Sequence, residues 1–149
     1  MVLLHLMTEV LNFLSDCDIL YYATNVAKKS SLRGEMKMLI DFNSMQEITC
    51  PGMNDGTGTM SSSMYVDAEN RMIYCRIHPG SSIGMHKQKG SSDINYVISG
   101  YGRAICDGVE EILSPGTCHY CRNGQAHSII NDGDEDLVIF TVVPKAVEE

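Results

Sequence analysis

The chain has 149 residues, enough for one domain with its own hydrophobic core and too few for two ordinary domains. Its 11 basic and 19 acidic side chains give a formal net charge of −8, which argues against nucleic-acid binding because that depends on neutralising phosphates with a basic surface. No uncharged apolar run reaches the roughly 18 residues that a membrane-spanning helix needs, so no membrane span is predicted.

The first 35 residues differ from everything that follows. Apolar residues recur at helical spacing over residues 2–14, which predicts an amphipathic helix. Acidic residues interrupt this apolar opening and no positive charge begins it, so we do not interpret it as a secretion signal. We assign residues 1–35 to an N-terminal extension, either a helix that packs on the domain or a partner, or a gene-model artefact with the true start at Met36 or Met38.

The rest of the chain, residues 36–149, is assigned to one domain rich in strands. Residues 47–66 are rich in Gly, Ser, Thr and Met, and we expect an irregular lead-in with one edge strand. Two alternating runs flank Asp107-Gly108, a pair typical of a type I′ hairpin turn. Short strands about ten residues apart, with glycine-bearing turns, predict an all-β sandwich or barrel. The predicted strands are 72–78, 93–99, 102–106, 109–113, 127–131 and 137–143.

Four polar residues lie near the ends of these strands. His86 and Gln88 are two positions apart on an extended segment, so their side chains leave the same face. Asp93 begins the next strand and His127 begins a later one. Two imidazoles, one amide oxygen and one carboxylate suit a divalent first-row metal. From the residues alone, the alternative is that the histidines are ordinary surface or hydrogen-bonded core residues.

Residues 80–100, GSSIGMHKQKGSSDINYVISG, resemble the first motif of the cupin family. The positions that match the motif's spacing are Gly80, His86, Gln88, Asp93 and Gly100. Residues 108–131 resemble the second motif, through Gly124, His127 and Asn131, with Arg122 in place of a proline. The resemblance spans about 70 residues, with both motifs in the right order and at the right distance, which makes it more specific than a single short motif.

The resemblance implies a cupin double-stranded β-helix, which is a jelly-roll barrel. It also implies a divalent transition metal (Mn, Fe, Ni or Zn) at four positions. His86 and His127 fill the first and last of these unchanged. Gln88 stands where a second histidine is usual, and Asp93 where a glutamate is usual, so the site is harder than the family's usual one. Gln also occurs in the similar zinc site of phosphomannose isomerases in this superfamily, so Gln88 does not exclude a metal.

Three functions remain open for a cupin of this kind. The first is a metal-dependent enzyme of dioxygenase, isomerase or decarboxylase type that acts on a small polar metabolite. The second is a non-catalytic module that binds or senses such a molecule. The third is a barrel with a vestigial, empty site. No catalytic residue is assigned, because cupin specificity resides in lining side chains that vary on the same scaffold.

Apolar residues on both faces of strand 93–99 bear on the oligomeric state. If Asp93 points inward, Asn95 does too, whereas Tyr96 and Ile98 point outward. In cupins a second subunit often covers the outer face, so the resemblance implies a homodimer. The alternative is that residues 47–66 or the N-terminal helix supply the cover.

The six cysteines show no disulfide-scaffold spacing, and we expect them to be reduced, as in a cytoplasmic protein. Cys118 and Cys121 form a C-x-x-C motif, but positions i and i+3 of a strand face opposite ways, so a shared metal or redox pair is not expected. Either His119 or Tyr120 would be able to transfer a proton if it lined the pocket. We expect instead a surface histidine and a packed tyrosine.

Overall fold

The computed structural model of the protein describes residues 39–146. The helices in this range are two single 3-10 turns, Phe42–Ser44 and Met53–Asp55, and neither approaches the length that a membrane-crossing helix requires. The strands are β1 (Ile48–Pro51), β2 (Thr59–Val66), β3 (Asn70–Ile77), β4 (Ser82–Lys87), β5 (Asp93–Ser99), β6 (Gly102–Cys106), β7 (Val109–Leu113), β8 (Cys118–Cys121), β9 (Ala126–Ile130) and β10 (Leu137–Pro144). The all-β prediction is confirmed. The predicted helix over 2–14 and the extension 1–35 lie outside the described residues.

These strands form two antiparallel sheets. The first has the order β1-β2-β3-β10-β5-β8, and the second has the order β4-β9-β6-β7. From β3 to β10 the chain passes from one sheet to the other at each connection, except at the β6–β7 hairpin, which is the connectivity of a jelly roll. The core lies between the sheets, where Ile77, Val97, Ile129 and Leu137 are at most 1% exposed.

The β6–β7 hairpin and the faces of β5 agree with the sequence. Asp107 and Gly108 have φ values of 47° and 83°, and the positive sign of both is what a type I′ turn requires. On β5, Asp93 and Asn95 are 8% and 2% exposed, whereas Tyr96 is 48% exposed. Both predictions are therefore confirmed.

The expectation of an irregular lead-in over residues 47–66 is wrong. This segment contains two strands, and β2 is eight residues long and lies inside the larger sheet between β1 and β3. Its inward residues Met60 and Met64 are buried against β3, where Met60 pairs with Ile77. The serines between them weaken the local strand signal, so it is pairing with β3 that determines the conformation.

Asn131, directly after β9, connects the two sheets. Its side-chain nitrogen donates to the carbonyl oxygens of Ile77 (2.7 Å) and Glu135 (2.8 Å), and its side-chain oxygen accepts from the backbone N–H of Gly133 at 3.0 Å. Asn131 is fully buried. One side chain therefore satisfies three backbone groups that would otherwise lose their partners in the interior.

We expect Asn131→Ala to lower the free energy of unfolding by about 2–4 kcal/mol, because it leaves buried backbone groups without partners. Glu135→Ala, in the same turn, keeps the carbonyl that Asn131 uses and removes only an exposed side chain. This control should cost no more than about 0.5 kcal/mol. Urea unfolding of both variants measures the difference, and equal midpoints would show that the Asn131 bonds contribute little.

Candidate metal centre

The four side chains singled out in the sequence meet between the two sheets. His86 on β4 is paired directly with His127 on β9, so both imidazoles project from the same face of the smaller sheet. Gln88 lies just after β4, and Asp93 begins β5 in the opposite sheet. His127, Gln88 and Asp93 are buried, whereas His86 is half-buried and forms the open side of the cluster.

Five of the six distances among the polar atoms that meet in this cluster are nearly equal. The side-chain nitrogen of Gln88 is 3.2 Å from His86 Nε2 and 3.1 Å from His127 Nε2. It is also 3.2 Å from Asp93 Oδ2. His127 Nε2 is in turn 3.1 Å from His86 Nε2 and 3.2 Å from Asp93 Oδ2. A point in the middle of such a group is about 2 Å from each atom, which is the usual bond length of first-row metals to nitrogen and oxygen ligands.

The balance of hydrogen-bond acceptors and protons in the cluster depends on the state of its two histidines. His86 Nδ1 donates to the carbonyl oxygen of Gly84 at 2.9 Å, so neutral His86 presents a lone pair at Nε2. Burial is the main cause that lowers the pKa of His86 below its ordinary value of 6.5, which keeps the ring neutral at neutral pH. When the proton of neutral His127 is on Nδ1, its Nε2 accepts as well, and with Asp93 Oδ2 three acceptors then face one amide group that has only two protons. A cation satisfies all of them, so the residues fit a metal.

The bond that orients His86 depends on a glycine. Gly84 lies at an irregularity of the β4–β9 pairing, between Ile83 and His86. A Cβ atom at Gly84 would come within 2.0 Å of the backbone oxygen of Asn54 in the second 3-10 turn. Glycine therefore permits this close approach, and the Gly84 carbonyl remains directed at the His86 ring.

Gln88 and Asp93 are each held from behind by another polar side chain. Ser91 Oγ donates to Gln88 Oε1 at 3.1 Å, and because a hydroxyl also accepts, the rotated amide that turns its oxygen to the centre is satisfied equally well. Asp93 Oδ1 accepts from the Asn95 amide at 3.0 Å, and Thr141 donates to the amide oxygen of Asn95 at 2.7 Å. Outer partners of this kind fix the direction of ligand atoms in metal sites.

The outer partner of His127 is His119, which the sequence interpretation placed incorrectly. His119 is 2% exposed, and its Nε2 lies 2.9 Å from His127 Nδ1, so the expectation of a surface histidine is wrong. Tyr120 is 50% exposed, so the expectation of a packed tyrosine is wrong too. The available signal was Cys121, because a residue two positions away on a strand shares its face and an inward Cys121 implies an inward His119.

Arg71 is a basic residue that the sequence interpretation did not single out. Ile94 pairs with Val142, which pairs with Met72, so the preceding residues Asp93 and Arg71 occupy one row across the larger sheet. Arg71 pairs with the buried, inward Val143 and is half-buried. Its positive charge contributes to lowering the pKa of His86, after the larger effect of burial. A positively charged side chain therefore lies near the centre, on the inward face of the larger sheet.

The cysteines that the structure describes contribute no thiolate to this centre. Cys118 is exposed and Cys121 fully buried, which confirms that the C-x-x-C side chains face opposite ways. Burial raises the pKa of Cys75 and of Cys121 to about 12, so both are protonated thiols. The four cysteines Cys75, Cys106, Cys118 and Cys121 are free, whereas Cys50 is disulfide-bonded, so the expectation of six reduced cysteines is wrong at Cys50.

Another hydrogen-bonded histidine lies away from this centre. His78 Nε2 is 2.8 Å from Ser61 Oγ, and His78 Nδ1 is 2.9 Å from Asp136 Oδ1, the order of groups found in serine hydrolases. Ser61 is only 3% exposed, and Thr49 also bonds its hydroxyl at 3.2 Å. We interpret this series of hydrogen bonds as a structural link between β2, the end of β3 and the turn before β10.

The comparisons with known proteins agree with this architecture. Residues 73–143 match the cupin-domain family. This part of the chain is a cupin domain. The match contains all four residues of the centre, and three of them, His86, Asp93 and His127, form a group of possible metal ligands.

Among curated proteins, the chain is similar to an oxalate-binding protein from Thermotoga maritima, with 34% identity over 68 residues. That match covers 46% of this chain and 56% of the relative, so the chain spans little more than half of the relative's length.

Among solved structures, the cupin domain resembles two bacterial proteins in fold. The first is a predicted oxalate decarboxylase from Thermotoga maritima, with a TM-score of 0.70 and 24% identity over 73% of this chain and 100% of the other. The second is an RmlC-like cupin from Shewanella frigidimarina, with a TM-score of 0.62 and 15% identity over 76% of this chain and 95% of the other. At these identities the likeness concerns the fold alone.

Proposed function

We propose that this protein is a metal-binding cupin that binds a small carboxylic acid at the ion. The ligands would be His86, Gln88, Asp93 and His127, and the ion a divalent transition metal, Mn, Fe, Ni or Zn. The observation that carries this proposal is the convergence of His86 Nε2, His127 Nε2 and Asp93 Oδ2 on one amide group, at 3.1–3.2 Å. A bound ion would supply a Lewis acid and, for Mn or Fe, a redox centre.

The hydrogen bonds that hold each side chain of the cluster from behind argue against a vestigial site. Each of the four side chains has its own outer partner at 2.9–3.1 Å: Gly84 for His86, Ser91 for Gln88, Asn95 for Asp93 and His119 for His127. Holding several acceptors at such short range without a cation is costly, because lone pairs and a carboxylate repel one another in a buried site. The arrangement is accounted for if a metal is bound.

Two observations support a carboxylic acid as the ligand. Arg71 lies in the same cross-sheet row as Asp93, and a guanidinium group binds carboxylates through paired hydrogen bonds. The second observation is the similarity to an oxalate-binding protein. A small dicarboxylate of the oxalate class would place one carboxylate on the ion and the other towards Arg71. The same centre would also suit decarboxylase, dioxygenase or isomerase chemistry. Binding or sensing of the acid without a reaction needs only the residues already named.

Metal content tests the centre directly. Protein purified without chelator and loaded with Mn, Fe, Ni or Zn is expected to hold about one ion per chain, measured by inductively coupled plasma mass spectrometry. His86→Ala and His127→Ala should each lower metal affinity by more than about 100-fold, since each removes a ligand. Lys87→Ala, an exposed neighbour between two ligand positions, is the control and should bind like wild type. A wild-type protein that takes up none of the four metals would leave the vestigial site as the explanation.

Calorimetric titration of the metal-loaded protein tests the ligand class. Oxalate should bind, and Arg71→Gln should weaken it by about 10–100-fold because a charge-assisted hydrogen bond is lost. Metal content should stay unchanged in this variant, and its unfolding midpoint shows whether the fold is intact. Binding of equal strength in both proteins would remove Arg71 from the proposal. Assays for carbon dioxide release and oxygen consumption with oxalate then separate an enzyme from a binding module.

We also propose a homodimer in which a second copy covers the outer face of β5 and β8. Tyr96, Ile98 and Tyr120 are 43–50% exposed there, which is unusual for large apolar side chains on one face of a sheet. The face lies at the β8 edge of the larger sheet, so two copies related by a twofold axis can bury it reciprocally. Phe42 covers a neighbouring part by packing edge-on against Phe140, with ring centres 5.7 Å apart.

Light scattering is expected to give twice the mass of one chain. The double variant Tyr96→Glu, Tyr120→Glu should be monomeric because it places charges in the interface. Ile112→Glu, which alters a side chain on the smaller sheet that is 71% exposed, should remain dimeric. A monomeric wild-type protein would contradict the proposal.

A cytoplasmic location and the absence of nucleic-acid partners complete the proposal. The free thiols Cys75, Cys106, Cys118 and Cys121 support a reducing compartment, although Cys50 is disulfide-bonded. The net charge of −8 disfavours nucleic acid.

A further inference from the structure

We infer that Glu111 and His119 are positioning residues that determine which ring nitrogen of His127 carries its proton. The inference concerns the proposed metal centre and rests on that proposal for its function, but the geometry on which it depends is independent of any ion. The two residues hold His127 so that it presents a lone pair, rather than an N–H group, to His86, Gln88 and Asp93.

Glu111, His119 and His127 form a continuous chain of short hydrogen bonds. Glu111 Oε2 lies 2.7 Å from His119 Nδ1, and His119 Nε2 lies 2.9 Å from His127 Nδ1. The side chains of His119 and His127 are 1% and 0% exposed, whereas that of Glu111 is 51% exposed. This series of hydrogen bonds therefore begins at the surface and ends at the most deeply buried residue of the centre.

The Glu111 carboxylate determines the direction of the hydrogen bonds in this series. A carboxylate only accepts, so His119 Nδ1 must carry a proton to bond Glu111. Neutral His119 then has a lone pair at Nε2, and this nitrogen can only accept from His127 Nδ1–H. Neutral His127 is consequently left with its lone pair at Nε2, the atom 3.1 Å from both Gln88 and His86 Nε2. A metal ligand must be in this state.

The two histidines of the centre thus differ in how their state is maintained. His86 Nδ1 bonds the backbone carbonyl of Gly84, which accepts whatever side chains surround it. His127 Nδ1 bonds a second imidazole, which can either donate or accept, so its state is undetermined until Glu111 decides it. Without the carboxylate, His119 would be free to donate from Nε2, and His127 would then direct an N–H group at the metal position.

A purely structural role for the pair is the competing explanation. Glu111 is on β7 and His119 on β8, the edge strands of the two sheets, so their bond also joins the sheets at one side of the barrel. A structural link would form whichever ring nitrogen of His119 and of His127 carries the proton. The positioning role requires one order, and the tautomer of His127 distinguishes the two explanations.

Long-range ¹H–¹⁵N NMR spectra of the metal-free protein at pH 8, above the ordinary histidine pKa, report the tautomer directly. We expect His127 of wild type to be protonated at Nδ1. His119→Gln should preserve this state, because a glutamine oxygen can replace the accepting Nε2, whereas His119→Phe removes the acceptor and should give a mixture or the Nε2–H form. Zn²⁺ affinity should fall by about 10–100-fold in His119→Phe and be largely restored in His119→Gln.

Glu111→Ala provides a second variant that removes only a half-exposed side chain and leaves both rings in place, should His119→Phe fail to fold. We expect it to give the same mixed tautomers at His127. Wild-type His127 protonated at Nε2, or an Nδ1–H state unchanged in both His119→Phe and Glu111→Ala, would overturn the inference. Because the tautomer is measured without metal, a protein that binds no metal but shows the expected tautomers would contradict the proposed function and leave this inference standing.

Discussion

The candidate site is defined by one electrostatic constraint, the close approach of polar atoms that come from both sheets. His86 and His127 are brought together by their pairing on the smaller sheet, whereas Asp93 comes from the larger one. Their atoms lie 3.1–3.2 Å from the Gln88 amide nitrogen, which has too few protons for all of them when His127 Nε2 carries none. Sheet packing maintains this acceptor-rich cluster, and a cation is the group that best balances it.

The support behind the cluster differs from one side chain to the next. His86 is held by a backbone carbonyl at a glycine, which ties its orientation to the path of β4. Asp93 is held through Asn95 and, behind it, Thr141, so its support stays within the larger sheet. Only His127 is supported across both sheets, through side chains of β8 and β7. The edge of the barrel and the hydrogen bonding of a buried histidine are therefore connected.

Sequence patterns predicted some elements well because local chemistry determines them. The Asp107-Gly108 turn needs two positive φ angles, and few residue pairs allow this, so the hairpin was readable from two residues. The faces of β5 followed from alternation around Asp93. The serine-rich β2 was misjudged because its strand conformation comes from pairing with β3 on one side and β1 on the other. The contact of His119 with Glu111 was missed because Glu111 approaches from the opposite sheet.

By itself the sequence determined the chemical types of the four central side chains, their spacing in two cupin-like motifs and the order of most strands, since these are properties of neighbouring residues. Only the tertiary structure decided that these side chains meet in one cluster, and that Glu111 and His119 stand behind His127. Such contacts join residues that are distant in the chain or lie on different sheets. They depend on the register and packing of those sheets, which no local pattern encodes.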